Sequence, residues 1–138
     1  MLWLDAREKK YVEEVGTSNI FFVIGDELIT PPLGGTILPG VTRDSVIKLA
    51  SHLGVNVNER PLPMTEVIDA IENGTLKEAF ASGTAAIISP VGQIYFNKKE
   101  YIINNGKTGL LAEKLFHEIL HIQYGSKKDP FGWRMQLA

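Results

Sequence analysis

His117-Glu118-Ile119-Leu120-His121 gathers two imidazoles and a carboxylate within about one helical turn. Histidines four residues apart share a helix face, a spacing that suits zinc, with the glutamate activating a bound water. A catalytic zinc needs a third protein ligand, and residues 122–138 offer Asp129 as their sole carboxylate and no histidine. An amphipathic helix accounts for the same residues with Leu115, Ile119 and Ile122 turned inward and the histidines turned to water. The second account fits the downstream sequence better and places no metal on this helix, and a zinc-dependent hydrolase is the alternative. His52 is read in the same way, as a helix-surface residue.

Gly34-Gly35-Thr36-Ile37-Leu38-Pro39-Gly40-Val41-Thr42-Arg43-Asp44 is a glycine-rich turn that runs into a helix start. Amides at a helix N-terminus point outward without acceptors and the dipole favours an anion, so a phosphate suits that position. The pattern is neither a Walker loop nor a dinucleotide fingerprint, and most such helix starts bind nothing. Ala81-Ser82-Gly83-Thr84-Ala85-Ala86 is a run of small residues between two β-type segments, where a ligand carboxylate can come close to backbone amides. Packing alone also explains it. Glu14 alternates with Val12 along a strand, which can bury its carboxylate, although a solvated glutamate fits the same pattern.

The elements that must position these groups follow from hydrophobic periodicity and turn residues. Leu2 to Leu4 and Tyr11 to Val15 read as a β-hairpin across the polar stretch Asp5 to Lys10. Asn19 to Ile24 and Glu27 to Thr30 form a second one around Gly25-Asp26. After Pro31-Pro32 breaks the ladder, Val46, Leu49, Ala50 and Leu53 recur at helical spacing, with Thr42 as the expected cap and Gly54 as the stop. Val55 to Arg60 reads as a strand and Thr65 to Asn73 as a helix ended by Gly74. Ala79 to Ser82, Ala85 to Ser89, Gln93 to Phe96 and Tyr101 to Ile103 are further β segments. A helix from about Thr108 to Tyr124 stops at Gly125. The expected architecture is a mixed α/β (α+β) domain over residues 1–138, a mixed sheet with flanking helices.

Composition narrows the possible functions. The chain has 138 residues, 44% hydrophobic and 22% charged, enough for one globular core. A net charge of −2 with scattered lysines gives no footprint for nucleic acid. No apolar run approaches the roughly 20 residues of a spanning helix, and no leader pattern follows Met1, so a cytoplasmic location is expected. Cysteine is absent, which removes disulfides and thiol nucleophiles from consideration.

Glu14 to Phe22, Ile37 to Asp44 and Ser82 to Ala86 occur in the order in which similar stretches occur in branched-chain amino-acid aminotransferases. Ile122-Gln123-Tyr124-Gly125 and Asp129-Pro130-Phe131-Gly132-Trp133 resemble that family's C-terminal signature. The resemblance covers nearly the whole chain and implies the C-terminal domain of a fold-type IV pyridoxal-phosphate enzyme. It implies that Glu14 pairs with the cofactor's pyridine nitrogen and that Leu38 packs on its ring. Val41 and Thr42 would then receive the phosphate, and Thr84 and Ala85 would contribute to phosphate and substrate-carboxylate binding. The implied reaction transfers the amino group of leucine, isoleucine or valine to 2-oxoglutarate, and the implied complete enzyme is a homodimer.

One departure concerns the lysine that bonds to pyridoxal 5'-phosphate. In the family it lies upstream in a Gly-Gly-Asn-Tyr context, whereas Lys9 and Lys10 precede Glu14 by only a few residues, in the expected hairpin turn. No catalytic residue is therefore assigned in this chain, and a fragment lacking its N-terminal domain is expected. Ala86 and Ser89 stand where some relatives carry a cysteine pair, which excludes thiol regulation. A non-catalytic binding or assembly domain of the same fold is the remaining alternative.

Overall fold

The computed structural model describes residues 1–137. Strand β3 (Asn19–Ile24) lies at the centre of a five-stranded sheet ordered β5-β4-β3-β6-β7, with β4 (Glu27–Thr30), β5 (Asn56–Glu59), β6 (Leu76–Gly83) and β7 (Ile87–Pro90). All neighbours are antiparallel except β4 and β5, which run parallel. A parallel pair needs a crossover connection of a dozen or more residues. Helix α1 (Val41–His52) is that crossover, so its N-terminus follows the loop that leaves the carboxyl end of β4. Ligands of open α/β sheets bind beyond the carboxyl ends of strands.

Both faces of the sheet are covered, which explains why Ile20, Phe21 and Phe22 form an unbroken apolar run instead of alternating with polar residues. Ile20, Phe22, Ile29 and Ala79 pack with Met64 and Val67 of α2 (Met64–Glu72). Phe21, Leu28 and Phe80 face α1 and α3 (Leu110–Tyr124) through Val46, Leu49, Leu115, Ile119 and Ile122. The Phe21 and Phe80 rings stack with centroids 5.2 Å apart, and each fully buried ring contributes about 1.5–3 kcal/mol. Two short hairpins, β1 (Leu2–Leu4) with β2 (Val12–Val15) and β8 (Gln93–Phe96) with β9 (Lys99–Ile102), border the α2 side.

The structure corrects one expectation about α1. Thr42 is not its cap: the helix begins at Val41 with Gly40 as N-cap, and no side chain caps it. The Gly40 amide donates back to the Leu38 carbonyl at 2.8 Å, a tight turn that starts the helix early and leaves Thr42 inside the first turn. Gly54, at φ +83°, follows the helix end as expected. Strand β7 begins at Ile87 instead of Ala85, because residues 84–86 are spent on the turn.

The β1–β2 connection carries a local acid-sensitive element. One Asp5 carboxylate accepts the amides of Tyr11, Glu8 and Lys10 at 2.7–2.8 Å. These bonds, that of Tyr11 foremost, hold its pKa at about 2 instead of the ordinary 3.8. A folded-state value below the unfolded one means that the stabilisation is complete above pH 4 and is lost as pH falls towards 2. Asp5→Asn should therefore unfold at lower urea concentration than the parent at pH 6, with the gap narrowing steadily below pH 4. A gap that is constant across that range would show that the carboxylate's charge is not what orders the turn.

Candidate functional site

Glu13 and Glu14, adjacent on β2, both grip the glycine-rich loop. The Thr36 hydroxyl donates to Glu13 Oε1 at 2.8 Å, and the Leu38 amide donates to Glu14 Oε1 at 3.0 Å. Glu14 is half-buried, and its Oε2 has no hydrogen-bond partner among the described residues. The Leu38 side chain, 65% exposed, stands away from the core.

Sequence reasoning gave Asn19 no site role, reading it as the start of a strand within the Glu14 to Phe22 stretch. It is buried, and its Nδ2 donates to the Leu38 carbonyl at 2.9 Å. Gly40 packs so closely on the Asn19 carboxamide that any β-carbon there would overlap it. A polar residue opening the apolar run Ile20-Phe21-Phe22 was the available signal. Pinned in this way, the loop delivers the start of α1 next to Glu14. The first intrahelical donor there is Asp44, to Gly40 at 3.1 Å. The amides of Val41, Thr42 and Arg43 precede it, so they point beyond the helix end, the geometry that receives a phosphate.

The turn between β6 and β7 borders the same region. Ser82 is the cross-strand partner of Asn19, and Gly83 lies against the Ser18 hydroxyl, where a β-carbon would come within 3.0 Å. Thr84 and Ala85, both exposed, line a recess of about 110 Å³ with Thr17, Ser18 and Ala86. Glu14 and Leu38 are thus in direct contact, Val41 and Thr42 follow within one turn, and Thr84 and Ala85 join through Asn19, Ser82 and Ser18. Val41 itself opens onto a separate groove between α1 and α3, floored by Ile119 and Ile122.

A carboxylate beside a loop amide, a bare helix N-terminus and a turn of small residues suit a ligand with a basic ring nitrogen and a phosphate. The family model for class IV amino-transferases matches residues 3–94, which include all of these elements. The chain belongs to the class IV aminotransferases. Branched-chain-amino-acid aminotransferase 2 of Bacillus subtilis (strain 168) is 52% identical over 138 residues, all of this chain and 38% of that protein. A probable branched-chain-amino-acid aminotransferase of Staphylococcus aureus (strain N315) is 49% identical over 135 residues, 98% of this chain and 38% of its own length. The chain therefore spans under two fifths of these curated relatives.

Among solved structures, the branched-chain amino acid aminotransferase of Escherichia coli superposes with a TM-score of 0.80 at 32% identity, covering 96% of this chain and 40% of that one. The enzyme from Thermoproteus uzoniensis, solved with norvaline, gives 0.77 at 30% identity over 96% of this chain and 39% of its own. The class IV aminotransferase chain thus has the expected fold-type IV architecture, a mixed sheet with flanking helices. The zinc-hydrolase alternative finds no support here. His117 is 58% exposed, with Glu113 4.0 Å from its Nε2, and His121 Nδ1 shares a 2.8 Å hydrogen bond with the Ser126 hydroxyl. Among the described residues no group of three or more His, Cys, Asp or Glu is arranged to hold a metal.

Proposed function

We propose that this class IV aminotransferase chain is the cofactor-binding C-terminal part of a branched-chain amino-acid aminotransferase. The complete protein would transfer the amino group of leucine, isoleucine or valine to 2-oxoglutarate as a cytoplasmic homodimer. The observation that carries the reading is the contact of Glu14 with Leu38 directly before the uncapped start of α1. The names of the relatives, at about half sequence identity along nearly the whole chain, support the substrate class.

The cofactor of this reading is pyridoxal 5'-phosphate, which when bound withdraws electrons from the substrate's α-carbon. The residues present fit it. Glu14 has a carboxylate oxygen left over to accept the pyridine N–H and keep a proton there. Leu38 offers an apolar surface for the ring. The amides of Val41 and Thr42, with the Thr42 hydroxyl, hold the phosphate, and Gly40 and Asn19 fix the loop so that the amides stay aimed. Thr84 adds a hydroxyl on the phosphate side, and its amide with that of Ala85 orients the substrate carboxylate. The lysine that bonds the cofactor and moves the substrate proton belongs to the upstream part.

The test is complementation. The 138-residue chain alone is expected to show no leucine transamination, and borohydride in the presence of pyridoxal phosphate should trap no stoichiometric lysine. Co-expression with the upstream domain of a branched-chain aminotransferase should restore turnover. Turnover by the chain alone, with one lysine trapped per chain, would refute the division of labour. A complemented protein that bound pyridoxal phosphate but transaminated no branched-chain substrate would refute the substrate class.

A further inference from the structure

Helix α1 carries a buried cation at the end where a helix disfavours one. Arg43 is its third residue and its side chain is 4% exposed, whereas a positive charge in the first turn meets the positive end of the dipole. Its Nη2 donates to the Pro31 carbonyl at 3.0 Å and to Glu59 Oε1 at 2.7 Å. Its Nε is buried without a hydrogen-bond partner among the described residues, and the one other buried side-chain atom in that condition is Ser82 Oγ. Ser82 is cross-strand from Asn19, which supports Leu38 and Gly40. Ser82 is thus one strand pairing away from the residue that supports the start of α1. Buried polar groups are nearly always paired, so an unpaired Arg43 Nε in the first turn of α1 needs an explanation. An anion bound at that end supplies one, since it would add to Glu59 in balancing the buried cation.

We infer that Arg43 is a positioning residue for the anion at the start of α1 and that Glu59 sets the strength of its field. The inference rests on the phosphate reading above. Arg43 ties Pro31, where the loop leaves β4, to the helical turn where that loop ends, so one side chain closes the segment that presents Leu38 and Gly40. Glu59 is 46% exposed and faces the guanidinium from β5, and its negative charge weakens the guanidinium's field at the helix end. Replacing Glu59 by its neutral isostere strengthens anion binding, and replacing Arg43 by a neutral chain weakens it. A purely structural ion pair predicts the same sign for both changes, because each would break the same contact.

Two probes separate the readings: inorganic phosphate, and pyridoxamine 5'-phosphate, which has no aldehyde to react with lysines. Each is titrated calorimetrically into the 138-residue chain at low and high salt. Glu59→Gln should tighten both probes by roughly threefold or more at low ionic strength. The gain should fade near 1 M salt, where the Debye length is about 3 Å. Arg43→Met should weaken both by about tenfold, with Arg43→Lys between it and the parent. Glu59 is half exposed, so its variant decides the matter even if Arg43→Met does not fold. If Thr42→Ala weakens binding while Glu59→Gln leaves it unchanged or weaker, the role of Arg43 is overturned and the phosphate site stands. If the parent chain binds neither probe, or Thr42→Ala has no effect, the phosphate site is overturned and the role of Arg43 goes with it.

Discussion

In an enzyme completed by its upstream domain, Glu14→Gln is expected to lower leucine turnover by roughly 10²-fold or more, the scale for loss of one preorganised electrostatic group. The geometry makes the substitution a clean one. Glutamine keeps a carbonyl oxygen for the Leu38 amide that now donates to Glu14 at 3.0 Å, so the loop and the start of α1 should stay where they are. What disappears is the negative charge that favours a protonated pyridine nitrogen, and with it the pull on the substrate's electrons. The loss should therefore fall mainly on kcat, with pyridoxal phosphate affinity changed much less. Thr42→Ala should do the reverse, weakening cofactor binding by removing one of several phosphate donors while the helix amides remain. Steady-state kinetics on leucine and 2-oxoglutarate, paired with cofactor titration, distinguish the two. Turnover within about threefold of the parent in Glu14→Gln would remove Glu14 from the chemistry.

Those residues were legible in the sequence to different degrees, and the reasons are physical. Strands such as Asn19–Ile24 and Glu27–Thr30, and the helix ending at Gly125, emerged because their signals are local: apolar runs, a turn glycine, a left-handed stop at φ +79°. The two-sided burial of Ile20, Phe21 and Phe22 was hidden, because a continuous apolar run does not say what covers each face. The glycine-rich approach to α1 was legible as a phosphate-type turn, but Thr42 was misread as its cap, since the Gly40 to Leu38 hydrogen bond that advances the helix start leaves no trace in periodicity. The grouping of the candidates was non-local altogether. Residues 14 and 38 meet only because two elements fold together, and the Asn19 link that extends the group to Ser82 is a side-chain contact. Family resemblance proposed the same residues by motif order, without the contacts.

Gly109→Ala should destabilise the chain by about 3 kcal/mol, a large fraction of the 5–15 kcal/mol that typically holds a domain folded. Gly109 is the N-cap of α3 at φ −77°, so no unusual backbone angle demands glycine there; close approach does. Glu78 of β6, 5% exposed, accepts the amides of Leu111 at 2.9 Å and Ala112 at 3.2 Å, capping α3 from across the fold. A β-carbon at Gly109 would overlap that carboxylate. Either Glu78 gives up its partners and remains a buried unpaired charge, or α3 lifts from the sheet. Lifting α3 reaches the candidate site, because Leu115, Ile119 and Ile122 pack with Val46 and Leu49 of α1, whose N-terminus is the proposed phosphate cradle. Phosphate affinity should accordingly fall in Gly109→Ala although residue 109 touches none of the cradle residues. Adding Glu78→Ala to Gly109→Ala removes the overlapping carboxylate and leaves only the β-carbon of residue 78, 2.5 Å away, in conflict, so the double variant should lose less stability than the sum of the two single losses. Urea unfolding midpoints at constant m-value measure all three. A Gly109→Ala midpoint within about 0.5 kcal/mol of the parent, or strictly additive losses, would mean that Glu78 does not anchor α3 and that the cradle's helix is held by hydrophobic packing alone.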